Sequence, residues 1–200
     1  MATPTASHEI SPDLDQRIVL HGVSWEQYEA LLALFGDDPP GIRMAYLEGA
    51  LEIMSPSRKH ETIKTVVARL IELYALEQGL TLTGLGSTTF RRQARERGVE
   101  PDECYCVGEE KEYPDIAFEV VLTSGGVNRL AIYEGLGVAE VWLWRRGAFE
   151  LYRLGAAGYA RVERSELLPG LDFALLASLV EERNQTRALQ RLRDALRVGR

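Results

Sequence analysis

The sequence predicts an α+β protein, and three stretches support this fold class. Residues 58–79 repeat apolar side chains at three- and four-residue steps, which is the period of an amphipathic helix. Residues 113–145 pass from an apolar strand through a glycine-containing turn and a helix to a second apolar strand. Residues 139–165 alternate short apolar runs with turns, as antiparallel strands do. Helices beside hairpin strands indicate an α+β domain.

The composition is typical of one globular domain. The chain has 200 residues, of which 46% are hydrophobic and 26% are charged. No apolar run approaches the ~20 residues of a membrane span, and residues 1–16 lack the basic and apolar parts of a secretory signal. We therefore expect a cytoplasmic protein that does not enter a membrane. Residues 1–16 are expected to be a disordered arm, and residues 17–200 to form a single domain with a C-terminal helical extension.

The charge pattern limits the possible partners. A net charge of −7 argues against a protein that coats nucleic acid non-specifically, because phosphate binding is delivered mainly by clustered Lys and Arg. A local basic cleft is compatible with this charge. The basic stretch of residues 91–97 is either a DNA-facing edge or a solvated loop. Cys104 and Cys106, the two cysteines of the sequence, are expected to be buried free thiols, because their spacing suits neither a local disulfide nor a zinc site.

The first elements are predicted from their boundary residues. Ser24 and Gln27 have the spacing of a capping box, which predicts a short helix that ends at Gly36. Glu48 and Gly49 form a tight-turn pair between two short apolar runs, which predicts a β-hairpin.

The long helix begins at residue 57 or 58, and His60 lies in its first turn on the buried side. A histidine there is either a core or capping residue or part of a site near the start of the helix. The elements predicted after this helix are strands at 81–92 and 102–107 with a loop at 92–101, a strand at 115–122, a helix at about 127–135, three antiparallel strands within 139–165, and one or two helices within 165–197.

Glu119 is the first functional candidate, because it is embedded in an apolar strand where an unpaired charge is costly. Two Pro-Asp steps precede it, at Asp102 and Asp115. Asp115 lies four residues away on the same strand, about 13 Å at ~3.3 Å per residue, which is too far to share one cation. If the two strands form an antiparallel hairpin with Cys106 opposite Asp115, then Asp102 lies opposite Glu119.

This register brings the two carboxylates to ~4.5–5.5 Å at Cβ, where they repel unless a cation or proton lies between them. Oxygen ligands with water suit Mg²⁺ or Mn²⁺. The other interpretation is an exposed strand face with two solvated acids. The small, acidic face carries Asp102, Cys104, Cys106, Asp115, Ala117 and Glu119, and the predicted core face carries Tyr105, Val107, Ile116, Phe118 and Val120.

Several motifs then resemble a known family. They are Pro101-Asp102, the EVV of residues 119–121, a helix with Arg129 and Tyr133, and the segment GVAEVWLW of residues 137–144. Together they resemble the Uma-two family of restriction-endonuclease-like proteins, in the PD-(D/E)XK nuclease superfamily. The resemblance extends from about Tyr46 to Leu154. It is most specific in LEIMSPSRKHE, STTFRRQARERGVEPDECY and EVVLTSGGVNRLAIYEGLGVAEVW.

The resemblance implies a restriction-endonuclease-like core, with a mostly antiparallel sheet between helices, and an enzyme that hydrolyses the phosphodiester bonds of DNA with Mg²⁺ or Mn²⁺. Asp102 and Glu119 match the metal-binding carboxylates, and the resemblance implies the main-chain carbonyl of Val120 as a further candidate ligand. His60 matches a histidine of the family pattern, and Glu48 is the candidate for the extra acid that the superfamily often places near the metal.

Two positions depart from the expected patterns. The superfamily pattern has a lysine two residues after the glutamate, where this sequence has Val121. Family members generally supply a lysine from the next helix instead, and this sequence has Arg129 at that position. Arginine keeps the positive charge but cannot act as a general base at neutral pH. Lys59 or Lys64 could reach in from the long helix instead.

Three functions therefore remain open. The first is a metal-dependent DNA endonuclease, and the second is a non-catalytic nuclease-like module that binds nucleic acid or a protein partner. The third is a structural dimer without a ligand. We expect a homodimer, because the apolar strand at residues 142–144 and the C-terminal helices offer surface for self-association and a dimer suits a two-fold duplex.

Overall fold

Residues 13–36 and 41–198 are described by the computed structural model, and within them the chain forms five α-helices and eleven strands. The helices are α1 (Trp25–Phe35), α2 (Arg58–Gln78), α3 (Arg129–Leu136), α4 (Phe173–Val180) and α5 (Gln185–Val198). The strands are β1 (Gln16–His21), β2 (Arg43–Leu47), β3 (Ala50–Ser55), β4 (Leu82–Gly84), β5 (Phe90–Arg92), β6 (Arg97–Val99), β7 (Glu103–Val107), β8 (Ile116–Val121), β9 (Glu140–Arg145), β10 (Ala148–Gly155) and β11 (Gly158–Val162). The predicted α+β class is confirmed.

The strands divide into two sheets. The first sheet has the order β1-β3-β2-β6-β5 and is antiparallel. The second has the order β11-β10-β9-β8-β7-β4 and is antiparallel except for the parallel pair β8 and β9. A parallel pair needs a crossover connection, and α3 supplies it. Because Ile132 and Tyr133 of α3 share a buried cluster with Ala45 of β2 and Ala117 of β8, α3 lies between the two sheets.

The opposite face of the second sheet carries the largest core. Side chains of α2, α4 and α5 pack there against Phe118 of β8 and against Trp142 and Trp144 of β9. Leu143 is buried on the other face, in the cluster that contains α3, so the apolar strand at residues 142–144 is covered on both faces and is not available for self-association. No helix of the described segments is long and apolar enough to cross a membrane.

Local sequence explains the elements that lead to the site. The side chain of Ser24 caps the backbone N–H of Gln27, and the side chain of Gln27 caps Ser24 in return, as the capping box predicts. Glu48 and Gly49 both have positive φ, of 44° and 85°, which is the conformation of a two-residue hairpin turn. This turn fixes the register of β2 and β3, and Glu52 consequently pairs with Ala45.

Two predicted boundaries are wrong. Residues 81–92 form two strands in different sheets, because Gly86, at φ 60°, lies in a turn between β4 and β5. The predicted loop at 92–101 contains β6, which pairs with both β2 and β5. The turn at Gly86 therefore divides a segment that was predicted to be one strand.

The predicted N-terminal arm is also too long. Residues 1–12 of that arm lie outside the described residues, but Asp15 is only 7% exposed and β1 begins at Gln16. A buried hydrogen bond from the backbone N–H of Ser57 to Asp15, 2.8 Å long, ties this segment to the start of α2.

Packing against Gly98 of β6 gives a test of the first sheet. A Cβ at Gly98 would lie 2.6 Å from Cε1 of Tyr28, which is fully buried and stacked on Tyr46 at a centroid distance of 4.9 Å. We expect Gly98→Ala to lower the free energy of unfolding by about 1–3 kcal/mol, because Tyr28 has no room to move aside. The matched control is Gly155→Ala, whose Cβ would meet its nearest atom at an ordinary 3.7 Å. Urea denaturation of both variants measures the difference, and equal stabilities would contradict the packing described.

Candidate active site

Asp102 and Glu119 meet across the β7–β8 hairpin. Glu103 pairs with Phe118 and Cys104 with Ala117, which is the register predicted from the sequence. One residue further along, Asp102 stands opposite Glu119, and its Oδ2 accepts a hydrogen bond from the backbone N–H of Val120 at 2.7 Å. The two acids are 1% and 3% exposed. The structure thus brings together three of the predicted site residues.

The acidic face of this hairpin is buried, which rules out the interpretation of two solvated acids. Cys104 and Ala117 lie on that face and pack against Ile132 and Tyr133 of α3. Both cysteines are buried free thiols, as predicted. Glu119 therefore sits beneath a helix, in surroundings where its charge must be matched by specific neighbours.

His60 links Asp102 to a second buried acid. Its Nε2 lies 2.9 Å from Oδ1 of Asp102, and its Nδ1 lies 3.0 Å from Oδ2 of Asp15. Burial acts to lower the pKa of His60, but hydrogen bonds and charge interactions with Asp102 and Asp15 raise it to about 10. Burial acts to raise the pKa of Asp15, yet its bonds to His60 and Ser57 hold that pKa below the usual range. His60 is therefore an imidazolium between two carboxylates, both a buried residue and part of the site.

Glu119 has two partners from α3. The hydroxyl of Tyr133 donates a hydrogen bond to Oε1, and Nε of Arg129 lies 3.6 Å from Oε2. The pKa of Glu119 is nonetheless raised, because burial and the negative charge of Asp102 outweigh the attraction of Arg129. The two opposed carboxylates are thus an electrostatically costly pair, even with Arg129 beside them.

Arg129 also contacts an acid that the sequence interpretation missed. Its Nη2 lies 2.8 Å from Oε1 of Glu52, which is only 1% exposed. Glu52 accepts a further hydrogen bond from the N–H of Val127 at 2.9 Å and lies 3.6 Å from Arg17. The sequence signal that could have identified Glu52 is the one that identified Glu119, since each is a carboxylate within a short apolar strand.

Glu48, predicted as the extra acid near the metal, is not brought together with Asp102 and Glu119. It lies at the tip of the β2–β3 hairpin, where its side chain is 65% exposed and pairs with Arg97 at 2.8 Å. The glutamate four residues later occupies the buried position near Glu119. The tight turn explains this placement, because it directs Glu48 away from the sheets while β3 carries Glu52 between them.

A cavity of about 540 Å³ opens beside these acids, at the end of the parallel strands β8 and β9. Glu52 and Glu119 line it, and so do four arginines, Arg17, Arg129, Arg145 and Arg146. The loop after β8 forms one wall, and Gly126 approaches so closely that a Cβ there would lie 2.6 Å from Nη1 of Arg17. A crevice at the carboxyl ends of parallel strands is a common position for ligand binding.

The remaining predicted cations lie elsewhere. Lys59 and Lys64 do not line this cavity, and Lys64 instead contacts Ser87 at 3.2 Å. Arg92 lies over the ring of Tyr113, and Arg97 pairs with Glu48. Arg129 is therefore the cation of α3 that reaches the acids, in the place of the expected lysine.

The donor atoms suit an oxygen-preferring cation. Among residues 13–36 and 41–198, no group of three or more His, Cys, Asp and Glu side chains is arranged to hold a metal. Asp102 and Glu119 offer carboxylate oxygens, and Val120 offers a main-chain carbonyl in the same segment. Oδ2 of Asp102 accepts one hydrogen bond, from Val120, and Oδ1 lies 2.9 Å from Nε2 of His60, so both oxygens keep accepting capacity. A cation between the two acids would relieve the repulsion that raises the pKa of Glu119.

The charge on His60 predicts how stability depends on pH in the metal-free protein. The pKa of His60 is about 10 in the folded state, against an ordinary value of 6.5. The imidazolium therefore stabilises the fold fully below pH ~6.5, and this contribution is lost as the pH rises through the folded pKa, at up to about 1.4 kcal/mol per pH unit. Urea denaturation in EDTA should show His60→Gln well below wild type at pH 7, with a gap that narrows toward pH 10. A gap that stays constant with pH would contradict the imidazolium.

Comparison with known proteins identifies the family. Residues 25–187 match the model of the Uma2 family, which is described as "Putative restriction endonuclease". No curated protein matches the chain. The matched span includes Asp102, Glu119 and Arg129, and the α+β architecture is that expected of a restriction-endonuclease-like core. The chain therefore belongs to the Uma2 family, as its sequence motifs indicated.

Proposed function

We propose that the protein is a divalent-metal-dependent endonuclease that hydrolyses phosphodiester bonds of DNA. Asp102, Glu119 and the carbonyl of Val120 would hold Mg²⁺ or Mn²⁺. The observation that carries the proposal is the pairing of two buried carboxylates, 1% and 3% exposed, directly opposite each other. One of the two, Glu119, lines a cavity that four arginines also line. Membership of a family described as "Putative restriction endonuclease" supports the same reaction.

The chain's own residues have distinct roles in this proposal. His60, held by Asp15, orients the carboxylate of Asp102 through the 2.9 Å contact. Tyr133 fixes the carboxylate of Glu119 by its hydrogen bond. When bound, Mg²⁺ or Mn²⁺ supplies a water nucleophile near neutral pH and stabilises developing negative charge.

The arginines of the cavity fit a polyanionic substrate. Arg17, Arg145 and Arg146 line the cavity with Arg129, and their planar guanidinium groups suit phosphate oxygens. Arg129 is closest to the acids and would steady the scissile phosphate or the charge of the transition state. Proton removal from the attacking water does not depend on Arg129, because arginine stays protonated.

The second candidate is a non-catalytic nuclease-like module that binds nucleic acid or a protein partner. A specific observation favours it: Arg129 already lies 2.8 Å from Glu52 and 3.6 Å from Glu119, where it compensates the acids without a metal. The homodimer and the cytoplasmic location predicted from the sequence remain predictions.

Cleavage of DNA by matched variants tests the endonuclease. Wild type should cut plasmid and single-stranded DNA with Mg²⁺ or Mn²⁺ and lose activity in EDTA. Asp102→Asn and Glu119→Gln keep the shape of each side chain but remove its charge, and we expect each to lower the rate by about 100-fold or more, because ligand and electrostatic contributions of this kind are worth several kcal/mol.

The matched control is Asp115→Asn, the aspartate of the other Pro-Asp step. Its carboxylate contacts Lys111 and the N–H of Val107, away from the cavity, and we expect cleavage to persist. Unchanged activity in both Asp102→Asn and Glu119→Gln would contradict the assigned site. A wild type that binds Mn²⁺ at the pair but cuts no DNA would favour the non-catalytic module.

Arg129→Lys tests whether the missing lysine limits the chemistry. Lysine keeps the positive charge near Glu119 and adds a group whose pKa can shift when buried. If proton transfer from water limits the reaction, we expect the variant to cut faster by about 10-fold or more, in the range of general base catalysis. Arg129→Gln, which removes the charge, is the control and should not gain activity. A loss of cleavage in Arg129→Lys would instead assign Arg129 an arginine-specific role on phosphate.

A further inference from the structure

A second polar pocket adjoins the segment that carries Asp102. It has a volume of about 550 Å³ and is open to solvent. Three cations and three hydroxyl groups line it: Arg43, Lys64, Arg91, Ser87, Thr88 and Thr89. None of its described lining residues is acidic. Such a combination of cations and hydroxyl donors is suited to the oxygens of a phosphate group.

Two of the cations converge on one hydroxyl. Nζ of Lys64 lies 3.2 Å from Oγ of Ser87, and Nη2 of Arg43 lies 3.5 Å from the same atom. Ser87 in turn lies 3.2 Å from the main-chain oxygen of Asp102. Ser87, which both cations contact, is thus hydrogen-bonded to the backbone of Asp102, a candidate catalytic residue.

Arg43 retains unused hydrogen-bonding capacity. Its Nη1 donates to the carbonyl of Ile42 at 3.2 Å, but its Nε is buried without a hydrogen-bond partner among the described residues. Lys64 and Arg91 have acidic neighbours, Glu61 at 3.6 Å and Glu29 at 3.8 Å, and neither acid lines the pocket. A buried guanidinium N–H without a partner is costly, and an anion in the pocket would offset that cost.

The pocket and the candidate active site are joined by one row of side chains across the first sheet. Met54 of β3 pairs with Arg17 of β1 on one side and with Arg43 of β2 on the other. Paired residues project from the same face of a sheet, so all three side chains face the second sheet. Arg17 and Met54 line the first cavity, and Arg43 lines the second pocket. Two strand spacings of ~4.8 Å separate the two arginines by roughly 10 Å, about the rise of three nucleotides of one DNA strand.

We propose that the pocket of Arg43, Lys64 and Ser87 binds a backbone phosphate of the nucleic acid a few nucleotides from the bond held at Asp102 and Glu119. This inference rests on the proposed function in that it takes DNA as the ligand. The same chemistry would accept free inorganic phosphate, and the experiment separates these two sources.

Binding is measured on the intact chain carrying Glu119→Gln, without divalent metal, so that DNA is not cut. The probe is a fluorescently labelled single-stranded 12-mer, followed by anisotropy at several salt concentrations. Adding Arg43→Gln or Lys64→Gln should weaken binding about ten-fold at 50 mM salt and lower the salt slope by about 0.7, because each removes one phosphate contact. Arg69→Gln is the matched control. Arg69 is a cation on α2, like Lys64, but its Nη1 donates to Gln185, away from the pocket.

The outcomes separate this inference from the proposed function. Weaker DNA binding with Arg43→Gln and Lys64→Gln but not with Arg69→Gln supports it, even if the wild type cuts no DNA. Unchanged DNA binding in both pocket variants overturns it, whether or not the wild type is a nuclease. Titration with inorganic phosphate is the second arm. Phosphate binding that Arg43→Gln abolishes, with DNA binding unaffected, would assign the pocket to a free anion and overturn the nucleic-acid assignment.

Discussion

The opposition of two buried carboxylates, Asp102 on β7 and Glu119 on β8, is the constraint on which the rest of the site depends. Two negative charges in a low-dielectric interior repel strongly, and removing them from water is costly for each. The fold meets this cost with a cation on each side. His60 from α2 contacts Asp102, and Arg129 from α3 contacts Glu119. The positions of both helices relative to the second sheet are therefore tied to these acids.

Each of those cations is held by a further acid from the N-terminal part of the chain. Asp15 contacts His60, and Glu52 of β3 contacts Arg129. Acids and cations thus alternate in two series that end at the hairpin of the second sheet. One series is Asp15, His60 and Asp102, and the other is Glu52, Arg129 and Glu119. Removing one member leaves its neighbours buried and unpaired, which costs more than the pair contributes. The same alternation gives Arg129 two effects, since it stabilises the metal-free acids and competes with any cation that binds between them.

Local patterns predicted much of the fold and the pairing of the two carboxylates in the site. The capping box of α1, the Glu48-Gly49 turn and the register that sets Asp102 opposite Glu119 all follow from short-range rules, and the structure has each of them. The division into two sheets depends on the turn at Gly86 and on long-range pairing of β6, which no local period records. Glu52 carries the same local signal as Glu119, an acid within a short apolar strand, but its contact with Arg129 spans 77 residues of sequence, which no local pattern records.

Arg129 decides between catalysis and binding, because it occupies the space beside Glu119 in the metal-free protein. Metal-dependent cleavage requires that a divalent cation can still bind between the acids. The most direct test is a crystal of the wild-type protein soaked in Mn²⁺ and measured by anomalous diffraction. We expect one Mn²⁺ peak in contact with the carboxylates of Asp102 and Glu119. A map with no peak there, and with Arg129 still paired to Glu119 at saturating Mn²⁺, would contradict it.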